Sequence, residues 1–329
     1  MQFPYTYKKT AQITELLNRL EIVKAVLEAL PTQPGIEENL RRQSILKSSL
    51  FSARIEGNRL RLDQVTTQGL VHSERTREKL EIANILRAHQ WIYSNASPNK
   101  LSLRVLLALH SKVMHNLSAD VGKIRSEPSA IFNATGVAIY LTPPPSKIKP
   151  RLRQLIIYTN ASSVPGPIRA SVTHFVFEKI HPFLDGNGRV GRLLSTFILN
   201  RTSYDFRGLI AFEEELEKQR QEYYDLLAIS TKNVTLFVEF YVRILLKQAE
   251  KAIEQVKTMN QEVPEDTLLP RRQEILNIIR DHHHVSFDFI HRRFFGVAKS
   301  TLHFDLKQLM KANLIKKLGA TRGVVYVPK

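Results

Sequence analysis

The chain contains no cysteine, so disulfide frameworks and zinc sites built from thiolates are excluded. It also lacks any apolar run of membrane-spanning length. The first residues, Met1-Gln2-Phe3-Pro4-Tyr5, begin no apolar signal region. We therefore expect an intracellular, cytoplasmic protein that has no membrane partner.

Acidic residues are scarce relative to basic ones. The sequence has 31 Asp and Glu against 48 Lys and Arg, which gives a formal net charge of +17. Residues 271–329 hold twelve Lys or Arg and four Asp or Glu, so this short tail alone carries +8. The tail is therefore the segment predicted to bind a polyanion.

One stretch of twelve residues concentrates the chemistry: it runs His-Pro-Phe-Leu-Asp-Gly-Asn-Gly-Arg-Val-Gly-Arg from His181 to Arg192. An apolar helical pattern follows, so the glycine-rich turn is predicted to open a helix whose free N–H groups favour an anion. Arg189 and Arg192 share one helix face and oppose the helix dipole, which is sensible if phosphate binds there. Asp185 is placed to hold a divalent metal, and His181 to act as a base.

The same stretch allows two other interpretations. Gly186-x-Gly188-x-x-Gly191 formally matches a dinucleotide fingerprint, and Asp205 lies at a suitable distance. That fingerprint requires a preceding strand, whereas residues 172–180 have apolar positions three and four apart, which is typical of a helix. A plain surface turn followed by a solvated basic helix is the second alternative.

The stretch resembles the signature of the Fic (Fic/Doc) family, and every position of that signature is matched. Members of this family mostly transfer AMP from ATP to a protein hydroxyl. The resemblance implies a mainly α fold, in which a Fic-type helical core with a β-hairpin flap is followed here by a C-terminal winged helix-turn-helix. It also implies a nucleotidyltransferase, that is, a protein adenylyltransferase, with ATP as substrate and Mg²⁺ as cofactor.

An N-terminal segment carries a second resemblance. Ser52 and Glu56 are four apart near the end of a predicted helix at about 36–57, and Gly57 is placed to cap it. A glutamate in a last turn opposes the helix dipole, which suggests a cationic partner elsewhere. The segment is similar to the inhibitory motif of Fic proteins, in which the glutamate pairs with the second signature arginine, here Arg192. The alternative is a solvated helix end.

The family resemblance implies a role for each site residue. His181 takes the proton of a target Tyr, Thr or Ser hydroxyl, and Asp185 holds Mg²⁺. The ATP-binding residues are predicted to be Gly186, Asn187, Gly188, Arg189, Arg192 and Tyr224. Arg189 faces the β-phosphate and Arg192 the γ-phosphate, while Glu56 and Ser52 belong to the inhibitory motif. Tyr224 is expected beside adenine, although tyrosines on an amphipathic helix are commonly core residues.

Apolar spacing predicts helices over 62–72 and 211–230, and Ser102 and Ser286 are the predicted N-caps of two others. His110, on the helix predicted over 103–116, is expected to be an ordinary packed or surface residue. Gly122-Lys123-Ile124-Arg125 resembles the turn that precedes the flap in Fic proteins.

The rest of the chain divides into predicted domains. Residues 1–100 hold N-terminal helices with the inhibitory helix, and 101–258 hold the catalytic core. Within that core, residues 131–143 have strand-like apolar residues around a turn near Thr135-Gly136, and Fic proteins have their target-holding flap there. A linker at 259–270 precedes 271–329, where three helices and a hairpin resemble a winged helix-turn-helix. Lys299, Ser300, Thr301 and His303 would face a DNA groove, and Lys316, Lys317 and Arg322 its phosphates.

Three functional alternatives remain open from the sequence. The same site could remove AMP, with Glu56 aligning a water. It could transfer another phosphate-linked group, since fold and motif do not determine the leaving group. The chain could also be a DNA-bound regulator whose Fic domain senses nucleotide. The predicted partners are ATP and a hydroxyl-bearing target, which is either another protein or this chain itself. A second copy in a homodimer and DNA bound through 271–329 are the other predicted partners.

Overall fold

The structure is a computed structural model that describes residues 3–32, 34–65, 76–94, 96–132, 138–161, 163–261, 268–319 and 324–329. These residues are mainly helical, with a small hairpin, as the sequence predicts. They form two compact units. The first holds Met1–Pro31 and Asn39–Gln255, and the second holds Thr32–Glu38 and Val256–Lys329. No helix within the described ranges is both long and apolar enough to cross a membrane.

The helices that precede the hairpin begin at polar capping residues. They are α1 (Ala11–Ala29), α2 (Pro34–Ile55), α3 (Arg77–Tyr93) and α4 (Leu103–Val113). Thr10, Thr76 and Ser102 each accept a bond from the backbone N–H three residues on, at the starts of α1, α3 and α4. A helical pattern over 62–72 is wrong for its first residues, which form only a 3-10 turn, Leu62–Gln64. There the Gln64 side chain bonds the Arg61 backbone, and such local bonds compete with a helix. Residues 66–72 lie outside the described part.

The centre of the first unit is a helix whose residues are nearly all buried. Strands β1 (Ala130–Phe132) and β2 (Ala138–Leu141) pair antiparallel, with Ala130 opposite Leu141. This is the predicted hairpin, but its turn, residues 133–137, lies outside the described residues. Then follow α5 (Pro145–Thr159), α6 (Gly166–Ile180) and α7 (Asn187–Arg201). Every described side chain of α6 except Arg169 is buried, because α5 and α7 pack along it and a later helix covers it.

The last helices of the first unit are two short ones separated by a break, followed by a long one. A 3-10 turn at Phe206–Gly208 leads to α8 (Phe212–Lys218), α9 (Arg220–Ala228) and α10 (Thr235–Gln261). One continuous helix over 211–230 is therefore wrong, since the chain breaks at Gln219, with φ −108° and ψ 32°. The amide of Gln219 bonds Glu215 on one side and Arg243 of α10 on the other, which holds the break in place.

The second unit contains three helices and a three-stranded sheet. Its elements are α11 (Pro270–His282), β3 (Val285–Ser286), α12 (Phe287–Arg293), α13 (Lys299–Lys311), β4 (Ile315–Leu318) and β5 (Val325–Pro328). The antiparallel sheet has the order β3-β5-β4. The short strand β3 is absent from the sequence prediction, whereas Ser286 caps α12 as expected. Asp305 of α13 is fully buried and pairs with Arg271 and Arg272, which ties α13 to α11.

Candidate active site

The signature stretch forms a tight loop between α6 and α7. His181 ends α6 with φ 49°, a left-handed conformation that non-glycine residues adopt rarely. Gly186, with φ 82°, is the residue before the first turn of α7, as the sequence predicts. This positive φ suits glycine, because a side chain at the position would be strained. The loop therefore presents His181 at one end and the free N–H groups of a helix start at the other.

Side chains from inside and outside the loop fix its shape. Asn187 clamps Phe183 by bonding both its N–H and its carbonyl at 2.9 Å. Buried His110 of α4 stacks on Phe183 at 3.8 Å between ring centroids, and its Nε2 lies 3.1 Å from the Asp185 carbonyl. Its Nδ1 accepts the Gly122 N–H, so Nε2 must be the donor. Sequence reasoning treated His110 as an ordinary packed or surface residue, and it missed this contact.

His181 is held from both sides. Its Nδ1 lies 3.3 Å from the Glu178 carbonyl and must donate to it, which leaves Nε2 as the basic nitrogen. Arg125 donates from Nε to the His181 carbonyl at 2.8 Å. Burial, chiefly, lowers the pKa of His181 to about 4, with the Arg125 charge acting in the same direction. The imidazole is therefore neutral at pH 7 and can accept a proton.

Arg125 also connects His181 to the base of the hairpin. Its guanidinium donates to the Thr142 hydroxyl at 2.8 Å and to the Pro143 carbonyl at 2.6 Å. Sequence reasoning placed Arg125 in a turn before the flap and assigned it no role. A buried arginine that serves two segments leaves no local pattern in the sequence.

Arg189 and Asp185 form one ion-pair network. Arg189 is buried and bonds Glu81 of α3 at 2.6 Å and Asp185 at 2.8 Å. Asp185 Oδ1 also accepts the Gly186 N–H at 2.5 Å, and the Asp185 side chain is 54% exposed. Glu81 was missed because it lies on a helix remote in sequence. The network directs the guanidinium and the carboxylate toward the same open cleft.

The Arg192 side chain contacts the end of α2. It is 1% exposed, and its Nη2 donates to Glu56 Oε1 at 2.9 Å. Its Nε donates to the Ser52 hydroxyl, and Nη2 also donates to the Ser52 carbonyl, both at 2.9 Å. Burial works to lower the pKa of Arg192, but the Glu56 carboxylate outweighs it and raises the pKa, so the guanidinium stays charged. The structure thus brings Ser52, Glu56 and Arg192 together.

The Glu56 carboxylate also covers the start of α7. A Cβ built on Gly188 would lie 2.3 Å from Glu56 Oε1 and 3.1 Å from Arg192 Nη1. The carboxylate thus sits directly on the backbone of the glycine turn. Glu56 is the first residue after α2, and Gly57 follows with φ 102°. The helix end therefore places an anion where the sequence predicts a phosphate.

The two neighbouring tyrosines of α9 have different surroundings. Tyr223 is 1% exposed, and its hydroxyl lies 2.7 Å from His174 Nε2 in the core. Tyr224 is at the surface, and its hydroxyl donates to the Ile55 carbonyl at 3.2 Å. Tyr224 thus contacts the end of the helix that carries Glu56. Its predicted place beside adenine stays a prediction.

An open cleft of about 740 Å³ lies beside these groups. Its lining includes Glu56, Glu81, Asp185 and Arg189. Among the described residues no group of three or more His, Asp or Glu is arranged to hold a metal ion. Asp185 offers a carboxylate that is 54% exposed beside the predicted phosphate position. This donor set fits Mg²⁺, which binds in many enzymes through one carboxylate together with substrate phosphates and water.

Comparisons with known proteins agree with this geometry. A model of the Fic/DOC family matches residues 100–199, which contain α4, the hairpin, α5, α6 and most of α7. A protein adenylyltransferase Fic of Culex quinquefasciatus is 27% identical over 251 residues, which cover 71% of this chain and 47% of that protein. Another of Drosophila willistoni is 24% identical over 272 residues, covering 78% of this chain and 52% of that protein. The chain spans about half the length of the curated relatives it matches.

Solved structures show the same fold. A Fic family protein from Desulfovibrio desulfuricans superposes with a TM-score of 0.82 at 23% identity, covering 100% of this chain and 98% of its own. A Fic domain containing signaling protein from Bacteroides thetaiotaomicron gives 0.61 at 22% identity, covering 75% of this chain and 97% of its own. Fic-1 of C. elegans gives 0.60 at 22% identity, covering 75% and 72%.

Proposed function

We propose that the chain is a protein adenylyltransferase of the Fic/DOC family, whose model matches residues 100–199. It transfers AMP from ATP to a Tyr, Thr or Ser hydroxyl of a target protein, and Glu56 inhibits it. The observation that carries the proposal is the contact between Glu56 Oε1 and Arg192 Nη2 at 2.9 Å, at the mouth of an anion-binding helix start.

His181 is the proposed general base. Its Nδ1 is committed to a backbone carbonyl, so Nε2 takes the proton of the target hydroxyl as that oxygen attacks the α-phosphorus of ATP. The attack displaces pyrophosphate and leaves AMP on the target oxygen. Arg125 fixes the backbone of His181 and the base of the hairpin together, which aligns the base with a target held along the hairpin edge.

The phosphates are proposed to lie over the start of α7. The backbone around Gly186 and Gly188 supplies N–H donors, while the Asn187 side chain keeps the loop shape. Arg189 neutralises charge near the β-phosphate, and Arg192 pairs with the γ-phosphate. Asp185 would hold Mg²⁺, which when bound stabilises the charge that builds on the leaving pyrophosphate.

Inhibition follows from competition for one guanidinium. Glu56 occupies Nη2 of Arg192 and lies against Gly188, so a γ-phosphate cannot reach either group while α2 is in place. The Ser52 hydroxyl and carbonyl hold the same guanidinium toward α2. Tyr224 ties the helix end further through the Ile55 carbonyl.

Label transfer from ATP tests the proposal. Wild type, Glu56→Gly and the double variant Glu56→Gly/His181→Ala are incubated with α-³²P-ATP or γ-³²P-ATP and a cell lysate as target. We expect protein label from the α-phosphate alone, strong in Glu56→Gly and absent from the double variant. Label from the γ-phosphate would mean phosphotransfer. No label from either nucleotide would overturn the transferase proposal and favour AMP removal, which is tested by release of AMP from labelled protein.

We propose a second activity, DNA binding, for the second unit. The order helix, strand, two helices and hairpin, with sheet order β3-β5-β4, supports a winged helix-turn-helix. On α13, Lys299, Ser300 and His303 are exposed, as Lys316 and Lys317 are on β4. The predicted phosphate contact Arg322 lies outside the described residues.

Duplex binding by the full chain tests this second activity. We expect affinity that falls steeply with salt and weakens when Lys299 or Lys316 is replaced by Ala. It should be indifferent to His181→Ala, since that residue belongs to the other unit. Binding that does not change with salt would contradict the proposal. Self-association and location inside the cell stay predictions.

A further inference from the structure

A buried carboxyl beside the proposed site has no part in the mechanism above. Glu178 lies on α6, three residues before His181, and is 7% exposed. In the described part of the chain, no residue makes a hydrogen bond to its Oε1. Buried polar atoms are nearly always paired, so an unpaired carboxyl oxygen next to a proposed catalytic residue calls for an explanation.

Two glycines of α7 make room for two carboxyls. A Cβ on Gly188 would lie 2.3 Å from Glu56 Oε1, and a Cβ on Gly191 would lie 2.1 Å from Glu178 Oε1. A glycine inside a helix costs about 1 kcal/mol relative to alanine, yet α7 has one at each position. Glu56 and Glu178 therefore both rest against bare backbone of the helix that carries Arg192.

The charges in this buried cluster do not balance if both carboxyls are ionised. Among the described residues, the charges of Arg192 and Glu56 act on the Glu178 carboxyl, and Glu178 in turn acts on the Tyr223 hydroxyl. Tyr223 is neutral because burial raises the pKa of its hydroxyl well above 10. The single guanidinium of Arg192 thus serves two carboxyls, and it already pairs with one of them, Glu56. Burial, opposed by Arg192 and reinforced by Glu56, raises the pKa of Glu178 to about 8.

We propose that Glu178 is a positioning residue for Arg192 and that its protonation depends on what occupies that guanidinium. While Glu56 or a phosphate faces Arg192, Glu178 stays neutral. When neither is present, Glu178 loses its proton to solvent and becomes the counter-ion that keeps Arg192 in place. ATP binding to the uninhibited protein then returns one proton to the Glu178 carboxylate. This role rests on the proposed function, since it requires the γ-phosphate to reach Arg192.

Proton-linked nucleotide binding tests the role. Full-length Glu56→Gly/His181→Ala binds ATP without turnover and is compared with the same protein carrying Glu178→Gln, a neutral side chain of matched size. MgATP is titrated calorimetrically from about pH 7 to about pH 9 in buffers of different ionisation enthalpy. With Glu178 present, we expect the Kd to rise with pH, by up to about tenfold per unit, from the pH at which the free carboxyl ionises to about pH 8, and to level off above it. ATP binding should take up a proton near pH 7 and none by about pH 9, whereas Glu178→Gln should show neither effect.

The outcomes separate the two proposals. Tight MgATP binding that has the same pH dependence with Glu178 and with Gln, and no proton uptake, overturns the role of Glu178 alone. Absence of ATP binding in both proteins overturns the proposed function and this role with it. If Glu178→Gln does not fold, Glu178→Ala replaces it in the same comparison, and proton uptake that persists in Glu178→Ala overturns the role of Glu178.

Discussion

Replacing Glu56 by Gln separates the effect of its charge from the effect of its bulk at the proposed inhibitory contact with Arg192. The wild-type carboxylate accepts from Arg192 Nη2 at 2.9 Å, and that arginine is 1% exposed. Glutamine keeps the length and shape of the side chain but turns a charge-assisted bond into a weaker one. The variant therefore leaves the space over Gly188 filled while it frees the Arg192 charge for a phosphate.

The size of the effect follows from the burial of the pair. A hydrogen bond to a charged group contributes about 1.5–3 kcal/mol. The Glu56 side chain is 32% exposed, so solvent screens the pair, and we take about 2 kcal/mol. This corresponds to roughly 30-fold in an equilibrium constant. We expect the Kd of MgATP to fall, and α-³²P label incorporation at low ATP to rise, by about that factor.

Calorimetric titration of MgATP and initial rates of labelling measure the two quantities. The matched control is Glu217→Gln, which weakens an ion pair to Arg54 at 2.9 Å on the same helix but outside the site. The side chains of this pair are 34% and 22% exposed, and neither contacts Arg192, so the control should change either quantity by less than about fivefold. If Glu56→Gln stays as inactive as wild type while Glu56→Gly is active, the ion-pair reasoning is refuted, and the bulk over Gly188 is the cause of inhibition.

Three further outcomes are expected, all measured with MgATP and α-³²P labelling. Ser52→Ala removes one hydrogen bond to Arg192 and should lower the Kd of MgATP by about fivefold. An unchanged Kd would mean that the Ser52 hydroxyl does not stabilise the inhibited state. Arg125→Lys, introduced into Glu56→Gly, cannot keep both the bond to the His181 carbonyl and the bonds to the hairpin base. The kcat should therefore fall about tenfold while the Kd of MgATP is unchanged. A fall in ATP affinity instead would contradict a positioning role for Arg125. Because burial lowers the pKa of His181 to about 4, the base stays neutral as pH falls. Glu178→Gln is added to Glu56→Gly so that Glu178 makes no contribution to the pH dependence. The initial rate of this double variant at low ATP should therefore hold between about pH 7 and about pH 5, whereas a base with the ordinary pKa of about 6.5 would lose more than tenfold.

The parts of the site that were predictable lie close together in the sequence. His181, the glycine turn and Arg192 sit on one loop and the first turns of one helix, so their spacing already places them at a helix start. Ser52 and Glu56 share a helix face for the same reason, and the structure brings both to Arg192. Resemblance to a known family supplied the partner, because nothing in a helix end by itself identifies a residue 136 positions away.

Helices were predicted where apolar spacing and caps agree, and errors fall where local bonds decide. Ser102 and Ser286 start helices as expected. Gln219 breaks a continuous pattern, since its amide is held by side chains before it and on α10. Strand β3 has only two residues, and it exists because β5 pairs with it. A pattern of two residues has no period to detect.

A mainly helical chain, a glycine turn at a helix start and a basic tail were predictable from local patterns, because helix periodicity, positive-φ glycines and charge counts depend on neighbouring residues. The contacts that support the site arise only in the folded chain: Glu81 on Arg189, His110 under the loop and Arg125 on His181. The tertiary structure also decided that Glu178 and Glu56 rest against the same helix. These contacts join elements far apart along the chain, and their energies come from burial and charge in three dimensions, which leave no spacing in the sequence.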